Sequence, residues 1–277
     1  MKHIEVFNQY YHLQGFTTDG EFMYWSFTDV LVKTTMQGIM KIQVPVATRW
    51  EHLGGIDYHN GRIYCACMSR NPAGSSVHIY DADTLALVDT ILLKNVINDM
   101  NRGIDDNNGA GCITIGIDPE TSEEVILVGC ATKPSSHFDG QIVMQYDMKG
   151  NFQKKHIVPT GCTDLGIQNI DRDPETGCYW MTSYGKREEH HIKETLFCIS
   201  PDLKTVQSSY VFFSAVGLHC LGNDRFYFSC ARGTKGRNEG YAYEADLDFV
   251  RKTDEHSDGY GSWMDYLKSQ FDSEMGL

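Results

Sequence analysis

Polar side chains that can transfer protons or bind ligands recur beside short apolar segments that contain glycine. The five segments are HLQGF (12–16), HLGGI (52–56), GAGCI (109–113), DLGIQ (164–168) and VGLHC (216–220). At or beside them stand His12 with Gln14, Glu51 with His52, Asn107 with Asn108, Asp164 with Gln168, and His219. An apolar core has no use for a recurring polar set, so these groups must bind one another, water or a ligand.

The three histidines of this set, His12, His52 and His219, allow three interpretations. Neutral imidazoles can hold a divalent ion such as Mn, Zn or Ca together with an amide or a carboxylate. Without a metal, a histidine near its ordinary pKa can act as acid or base in catalysis. In the third interpretation the imidazoles only hydrogen-bond neighbouring parts of the fold. The side chains expected to contact a substrate are Gln14, Asn108, Asp164 and Gln168.

A second recurrence is cationic and falls in the segment after an aromatic or branched run. It comprises Arg70 in MSRNP, Lys133 in ATKPS, Lys186 in YGKREE and Arg232 in ARGTKGR. In an acidic chain, four such loops on one face predict a positively charged rim that attracts an anionic ligand, and arginine pairs well with carboxylate or phosphate. The alternative is that exposed loops carry these cations for solubility.

The elements that must position these residues follow from a repeat. Each segment is followed by a turn, an apolar strand, a polar loop, another strand, a turn and a fourth strand, which describes a four-stranded antiparallel meander. Five copies match the blade period of a β-propeller. DFVRKT (248–253) is expected as the fourth strand of the last unit, HIEVF (3–7) as an added outer strand that helps to close the ring, and 262–271 as a docked helix.

On these repeats the chain resembles the five-bladed β-propeller class over residues 10–255. The resemblance implies an all-β fold with a single domain, 1–277, to which the short C-terminal helix expected at 262–271 is added. The histidine and glutamine set is similar in kind to the metal cage on the axis of seven-bladed oligogalacturonate lyases, from which no individual residue is carried over.

Composition excludes several classes of function. The net charge of -13 opposes nucleic-acid binding, and no apolar run is long enough to cross a membrane. No phosphate-binding or dinucleotide motif indicates a nucleotide cofactor. The N-terminus lacks the pattern of a secretory signal, so we expect a cytoplasmic protein. The nine cysteines are expected to be free thiols, with Cys65, Cys67, Cys130 and Cys230 largely buried.

These features favour an enzyme that takes a small or oligomeric acidic substrate, such as a uronate, at the mouth of the channel. A lyase or hydrolase is the natural class, because a histidine can move a proton while a cation or metal stabilises developing negative charge. The rival is a non-catalytic propeller that binds a protein or a carbohydrate.

Overall fold

A computed structural model shows five antiparallel sheets of four strands each, arranged as the blades of a propeller. The residues that it describes are 2–6, 13–45, 51–69, 74–93, 108–131, 140–161, 166–184, 195–212, 216–234 and 237–255. The predicted fold class is therefore confirmed. The segment 262–271, expected as a docked helix, lies outside the described residues.

Each of the first four blades is a simple meander that runs from an inner to an outer strand. The strands of blade 1 are β2 (Leu13–Thr18), β3 (Phe22–Phe27), β4 (Val30–Thr35) and β5 (Met40–Pro45). Those of blade 2 are β6 (Glu51–His59), β7 (Arg62–Ser69), β8 (Ser76–Asp81) and β9 (Leu87–Leu92). Those of blade 3 are β10 (Asn108–Ile117), β11 (Glu124–Ala131), β12 (Gln141–Asp147) and β13 (Phe152–Val158). Those of blade 4 are β14 (Gly166–Arg172), β15 (Tyr179–Tyr184), β16 (Thr195–Ile199) and β17 (Val206–Val211).

Blade 5 joins the two ends of the described chain. Its strands are β18 (Gly217–Gly222), β19 (Arg225–Thr234), β20 (Arg237–Asp246) and, outermost, β1 (Lys2–Val6). β1 pairs with β20 in antiparallel register, and Ile4 is buried between blades 5 and 1. The N-terminal strand thus closes the ring, as the sequence indicated.

The expectation that DFVRKT forms the fourth strand of blade 5 is wrong, because these residues lie in helix α1 (Leu247–Glu255). Asp246 caps the helix by accepting a hydrogen bond from the Phe249 backbone N–H at 2.8 Å. Val250 and Thr253 are buried on one helical face. β1 already holds the outer edge of the blade, so the chain after β20 is free to form a helix.

Five apolar clusters hold the ring together, one at each junction between neighbouring blades. The inner and middle strands are buried on both faces because each blade stacks against two others. This explains why β4 and β12 are buried along almost their whole length, whereas outer strands such as β5 and β13 alternate between exposed and partly buried residues.

The described cysteines are free, and Cys65, Cys67 and Cys130 are buried as predicted, whereas Cys230 is only partly buried. None of the helices among the described residues is long and apolar enough to span a membrane.

Candidate functional site

The inner strands approach each other so closely that side chains have no room at one level of the axis. A Cβ atom built on Gly15 would lie 2.7 Å from the Cα of Gly55, and one on Gly54 would overlap the carbonyl oxygen of Gly111. A Cβ on Gly217 would lie 2.8 Å from the Cβ of Phe16. The five glycines, at positions 15, 54, 55, 111 and 217, form what we call the glycine belt. It lets the backbones of neighbouring inner strands pack directly.

Four of the five inner strands carry a β-bulge at this level. In β2 the register passes from Leu13 to Gly15, which leaves Gln14 as the inserted residue. In β14 the inserted residue is Gln168. β6 and β10 shift register at the same place, where they carry glycines at 54–55 and 111. A bulge re-aims the inserted side chain and bends its strand, so the sequence controls which blades present a side chain here.

The two inserted glutamines meet. Gln168 Nε2 donates to the side-chain and backbone oxygens of Gln14, at 3.2 and 3.3 Å. Gln14 Nε2 in turn donates to Thr28 Oγ1 at 3.3 Å. β2 and β14 belong to blades that are not neighbours, so this amide bridge crosses part of the channel. The structure thus brings together two residues that the sequence assigned to substrate binding.

Two residues beyond this level, each inner strand presents a polar side chain. Strand register shows that the five positions are equivalent, because they face the corresponding residues Tyr24, Tyr64, Leu127, Trp180 and Tyr227 of the second strands. We call them the axial ring. Its members are Thr17, Asp57, Thr114, Asp171 and His219.

Hydrogen bonds link the axial ring all the way round. Thr114 Oγ1 lies 3.0 Å from Asp57 Oδ2 and 3.5 Å from Asp171 Oδ1. Asp171 Oδ2 lies 3.3 Å from His219 Nδ1, which is also 3.3 Å from Thr17 Oγ1. Thr17 Oγ1 accepts the backbone N–H of Tyr58, the residue after Asp57, at 3.3 Å. Contacts therefore connect every blade to the next.

Backbone groups hold both carboxyl groups of the ring in place. Asp57 Oδ2 accepts the N–H of Ile115 at 2.7 Å, and Asp171 Oδ2 accepts the N–H of Cys220 at 2.6 Å. Each aspartate thus bonds to the inner strand of the next blade. The side chains cannot rotate away without breaking a bond between blades.

Burial and mutual repulsion perturb the acidity of the ring. Burial, followed by the negative charge of Asp171, raises the pKa of Asp57 to about 7. Burial lowers the pKa of His219, but the hydrogen bond and charge of Asp171 outweigh it and hold that pKa above its usual value. Asp57 therefore titrates near neutral pH and the pKa of His219 is raised, and perturbed pKa values of this kind are common at functional sites.

Asp171 and His219 form an oriented acid–base pair. Asp171 fixes the imidazole through Nδ1, and Nε2 makes no hydrogen bond to any residue in the described part of the chain. The side chains of His219 and Asp171 are 19% and 10% exposed, so both keep some contact with solvent. A carboxylate that holds one imidazole nitrogen leaves the other to exchange a proton with a ligand.

The structure corrects the predicted position of His219. His52 faces Met68, whereas His219 faces Tyr227, the counterpart of Tyr64. The two histidines therefore differ by five residues along equivalent strands, roughly 15 Å at about 3.3 Å per residue. The reason is that His52 lies before the glycine belt and His219 lies after it. One metal ion cannot be bound by both, and the described residues contain no cluster of three or more His, Cys, Asp or Glu side chains suited to a metal.

The structure describes only some of the other predicted site residues. The prediction that Arg232 lies in a loop is wrong. Arg232 lies within strand β19, opposite Glu239 of β20, in a hairpin whose pairing continues to Thr234. Asn108 begins β10. The residues outside the described part of the chain are His12, Arg70, Lys133, Asp164 and Lys186. The meander nevertheless places the ends of β7, β11 and β15, which precede three of the cationic segments, at the face where the inner strands begin.

Sequence reasoning missed four members of the axial ring, Thr17, Asp57, Thr114 and Asp171. A recurring triplet could have revealed them. Each member of the ring is the last residue of three, preceded by an apolar residue and, before that, by a small or polar residue. The triplets are GFT (15–17), GID (55–57), CIT (112–114), NID (169–171) and GLH (217–219).

No family model and no curated protein matches the chain. Similar solved structures include a Bacteroides caccae protein of unknown function, 10% identical with a TM-score of 0.48, covering 84% of this chain and 77% of that one. The Dos1 propeller is 10% identical with a TM-score of 0.43, covering 83% of this chain and 53% of its own. A Myxococcus xanthus glutaminyl cyclase is 16% identical with a TM-score of 0.38, covering 61% and 66%. The propeller assignment rests on the five sheets of the chain itself.

Proposed function

We propose that the chain is a propeller enzyme that transfers a proton on a small or oligomeric acidic substrate, such as a uronate, in the axial channel. The observation that carries this proposal is the Asp171–His219 pair, in which the imidazole is held at Nδ1 while Nε2 makes no hydrogen bond within the described part of the chain. A purely structural ring would be expected to give both imidazole nitrogens a partner.

The reaction would be of the lyase or hydrolase type. In an elimination, His219 Nε2 would remove the proton from the carbon next to the substrate carboxylate, and the bond to the leaving group would break as the double bond forms. In a hydrolysis, the same nitrogen would take a proton from the attacking water. Both reactions need a base, and an imidazole oriented by a carboxylate can supply it.

The amide bridge would contribute substrate contacts. Gln14 and Gln168 lie three residues before the ring, roughly 10 Å along the strands, so an oligomeric substrate could contact both levels. Sugar hydroxyl groups would replace the hydrogen bonds between the two amides. Arg70, Lys133, Lys186 and Arg232 would attract the substrate carboxylate to this face. Metal assistance, if used, would rest on His12 and His52 and not on His219.

A panel of oligogalacturonides and glucuronides tests the proposal with two readouts, the absorbance of an unsaturated uronate product and the appearance of new reducing ends. The His219→Ala protein should lose about 10² to 10⁴ of the rate, as expected for loss of a positioned acid or base, and Asp171→Asn should also lose activity. His59→Ala is a matched control, because His59 is 23% exposed and pairs with Glu124 outside the ring.

Equal activity of the His219→Ala and wild-type proteins would refute the assigned role. If no acid is turned over while neutral glycans or a protein partner bind, the chain is a binding module instead.

A further inference from the structure

The Thr114 hydroxyl is placed between two carboxyl groups. Its oxygen lies 3.0 Å from Asp57 Oδ2 and 3.5 Å from Asp171 Oδ1. A hydroxyl group carries one hydrogen, so it can donate to only one of the two carboxylates at a time. With both aspartates ionised, Thr114 would donate its hydrogen to one carboxylate, and its contact with the other carboxylate would bring two hydrogen-bond acceptors together.

A single added proton resolves this conflict. If Asp57 Oδ2 carries it, Asp57 donates to Thr114, Thr114 donates to Asp171, and His219 Nδ1 donates to Asp171 from the other side. Every contact is then a hydrogen bond with one donor and one acceptor. We propose that Asp57 and Asp171 share one proton through Thr114, so that Asp57 is a neutral carboxylic acid at mildly acidic pH and ionises close to neutrality.

The surroundings of Asp57 support this arrangement. The titratable groups that face it are Asp171 from β14, His219 and Cys220 from β18, and Tyr64 from β7. His219 is the one group among them that can carry a positive charge, and it is already paired with Asp171. Asp57 itself is 7% exposed. Burial and the charge of Asp171 thus oppose ionisation, while the Ile115 N–H and His219 favour it.

The shared proton sets the charge of the candidate active site, and this step rests on the proposed function. Ionisation of Asp57 adds one negative charge to the ring, whichever protonation state His219 holds. A substrate carboxylate would be repelled more strongly once Asp57 is ionised, so Asp57 would determine how readily the channel accepts an anion.

Carbon-13 NMR of protein labelled at the aspartate carboxyl carbons tests the proton directly. The wild-type protein should show a carboxyl resonance that titrates near pH 7, and Asp57→Asn should lack it. Thr114→Val should shift that titration to lower pH, because the protonated form loses two hydrogen bonds through Thr114 and the ionised form loses one, whereas Thr114→Ser should preserve it. The proposal is overturned if no carboxyl group titrates near pH 7 or if the titration persists in Asp57→Asn.

Galacturonate binding tests the consequence. The wild-type affinity should fall by about sixfold from pH 6 to pH 8, because one unit charge at roughly 10 Å with an effective dielectric constant near 20 is worth about 16-fold and Asp57 passes from about one-tenth to about nine-tenths ionised. Asp57→Asn should show a smaller pH dependence than wild type, and Asp89→Asn, on exposed strand β9, should behave like wild type. A wild-type affinity independent of pH would overturn the role in anion binding. A titrating Asp57 without galacturonate binding at any pH would support the shared proton and overturn the acidic-substrate proposal.

Discussion

The glycine belt predicts a large and position-specific cost for adding one methyl group. A Cβ at Gly54 would overlap the carbonyl oxygen of Gly111 and lie 2.9 Å from its carbonyl carbon. Both obstacles are backbone atoms of an inner strand in a closed ring, so they cannot rotate away as a side chain would. Overpacking costs about 1 to 3 kcal/mol, and this site should reach about 3 kcal/mol or more.

Gly111→Ala is the matched control, since it adds the same methyl group in the same belt. Its Cβ would lie 3.0 Å from the Ile167 carbonyl oxygen, a contact that a small adjustment relieves. The unfolded chain also loses entropy on changing glycine to alanine, which returns about 0.4 to 1 kcal/mol in both variants. Gly111→Ala should therefore change stability by only about 1 kcal/mol.

Thermal unfolding followed by circular dichroism distinguishes the two variants. At about 2 to 3 °C per kcal/mol for a chain of this size, Gly54→Ala should melt about 6 to 9 °C below wild type and Gly111→Ala within about 3 °C. The reasoning fails if Gly54→Ala melts within a few degrees of wild type, or if both variants lose the same stability.

Two further predictions concern the stability of the ring. Ile4→Asp should destabilise the protein by about 3 kcal/mol or more in urea unfolding, because Ile4 is 3% exposed between blades 5 and 1 and the new carboxylate would lack a partner; an unchanged urea midpoint would show that β1 does not close the ring in solution. Because the pKa of Asp57 is raised to about 7, its native state holds a proton that the unfolded state releases near pH 4. Wild type should therefore lose stability relative to Asp57→Asn as pH rises from about 4 to 7, by up to about 1.4 kcal/mol per pH unit, and keep a constant difference above pH 7; a difference in melting temperature that does not change with pH would refute this.

The architecture could be predicted from the sequence because each blade repeats the same order of apolar strands and polar turns. The last blade was misread at its outer strand, where DFVRKT has β-branched and aromatic residues but also the spacing of Leu247, Val250 and Thr253 on one helical face. Pairing of β1 with β20 decided the outcome. That long-range contact competes with local preference and leaves no trace in the local sequence.

The predicted site was partly correct for a similar reason. Gln14 and Gln168 were placed together because both stand at the glycine-containing segment of their units, and the structure confirms their contact. His219 was placed with His52 because both also lie near a glycine. However, β18 has no register shift at Gly217 and shifts instead between Cys220 and Gly222. Bulges change the count of residues along a strand, so depth in the channel cannot be read from proximity to a glycine.

The odd number of blades gives the axial ring its chemistry. Around the axis, donors and acceptors alternate as Thr17, Asp57, Thr114, Asp171 and His219, and an odd ring must place two like groups next to each other. The two are His219 and Thr17, whose contact is between Nδ1 and Oγ1 at 3.3 Å. Nδ1 of His219 therefore makes both ring contacts of the imidazole, to Thr17 and to Asp171. No residue of the ring contacts its second nitrogen, Nε2. An even ring of alternating threonine and aspartate could satisfy itself completely, whereas this ring leaves His219 Nε2 without a partner in the described part of the chain, and under the proposed function that nitrogen is the atom that exchanges a proton with the substrate.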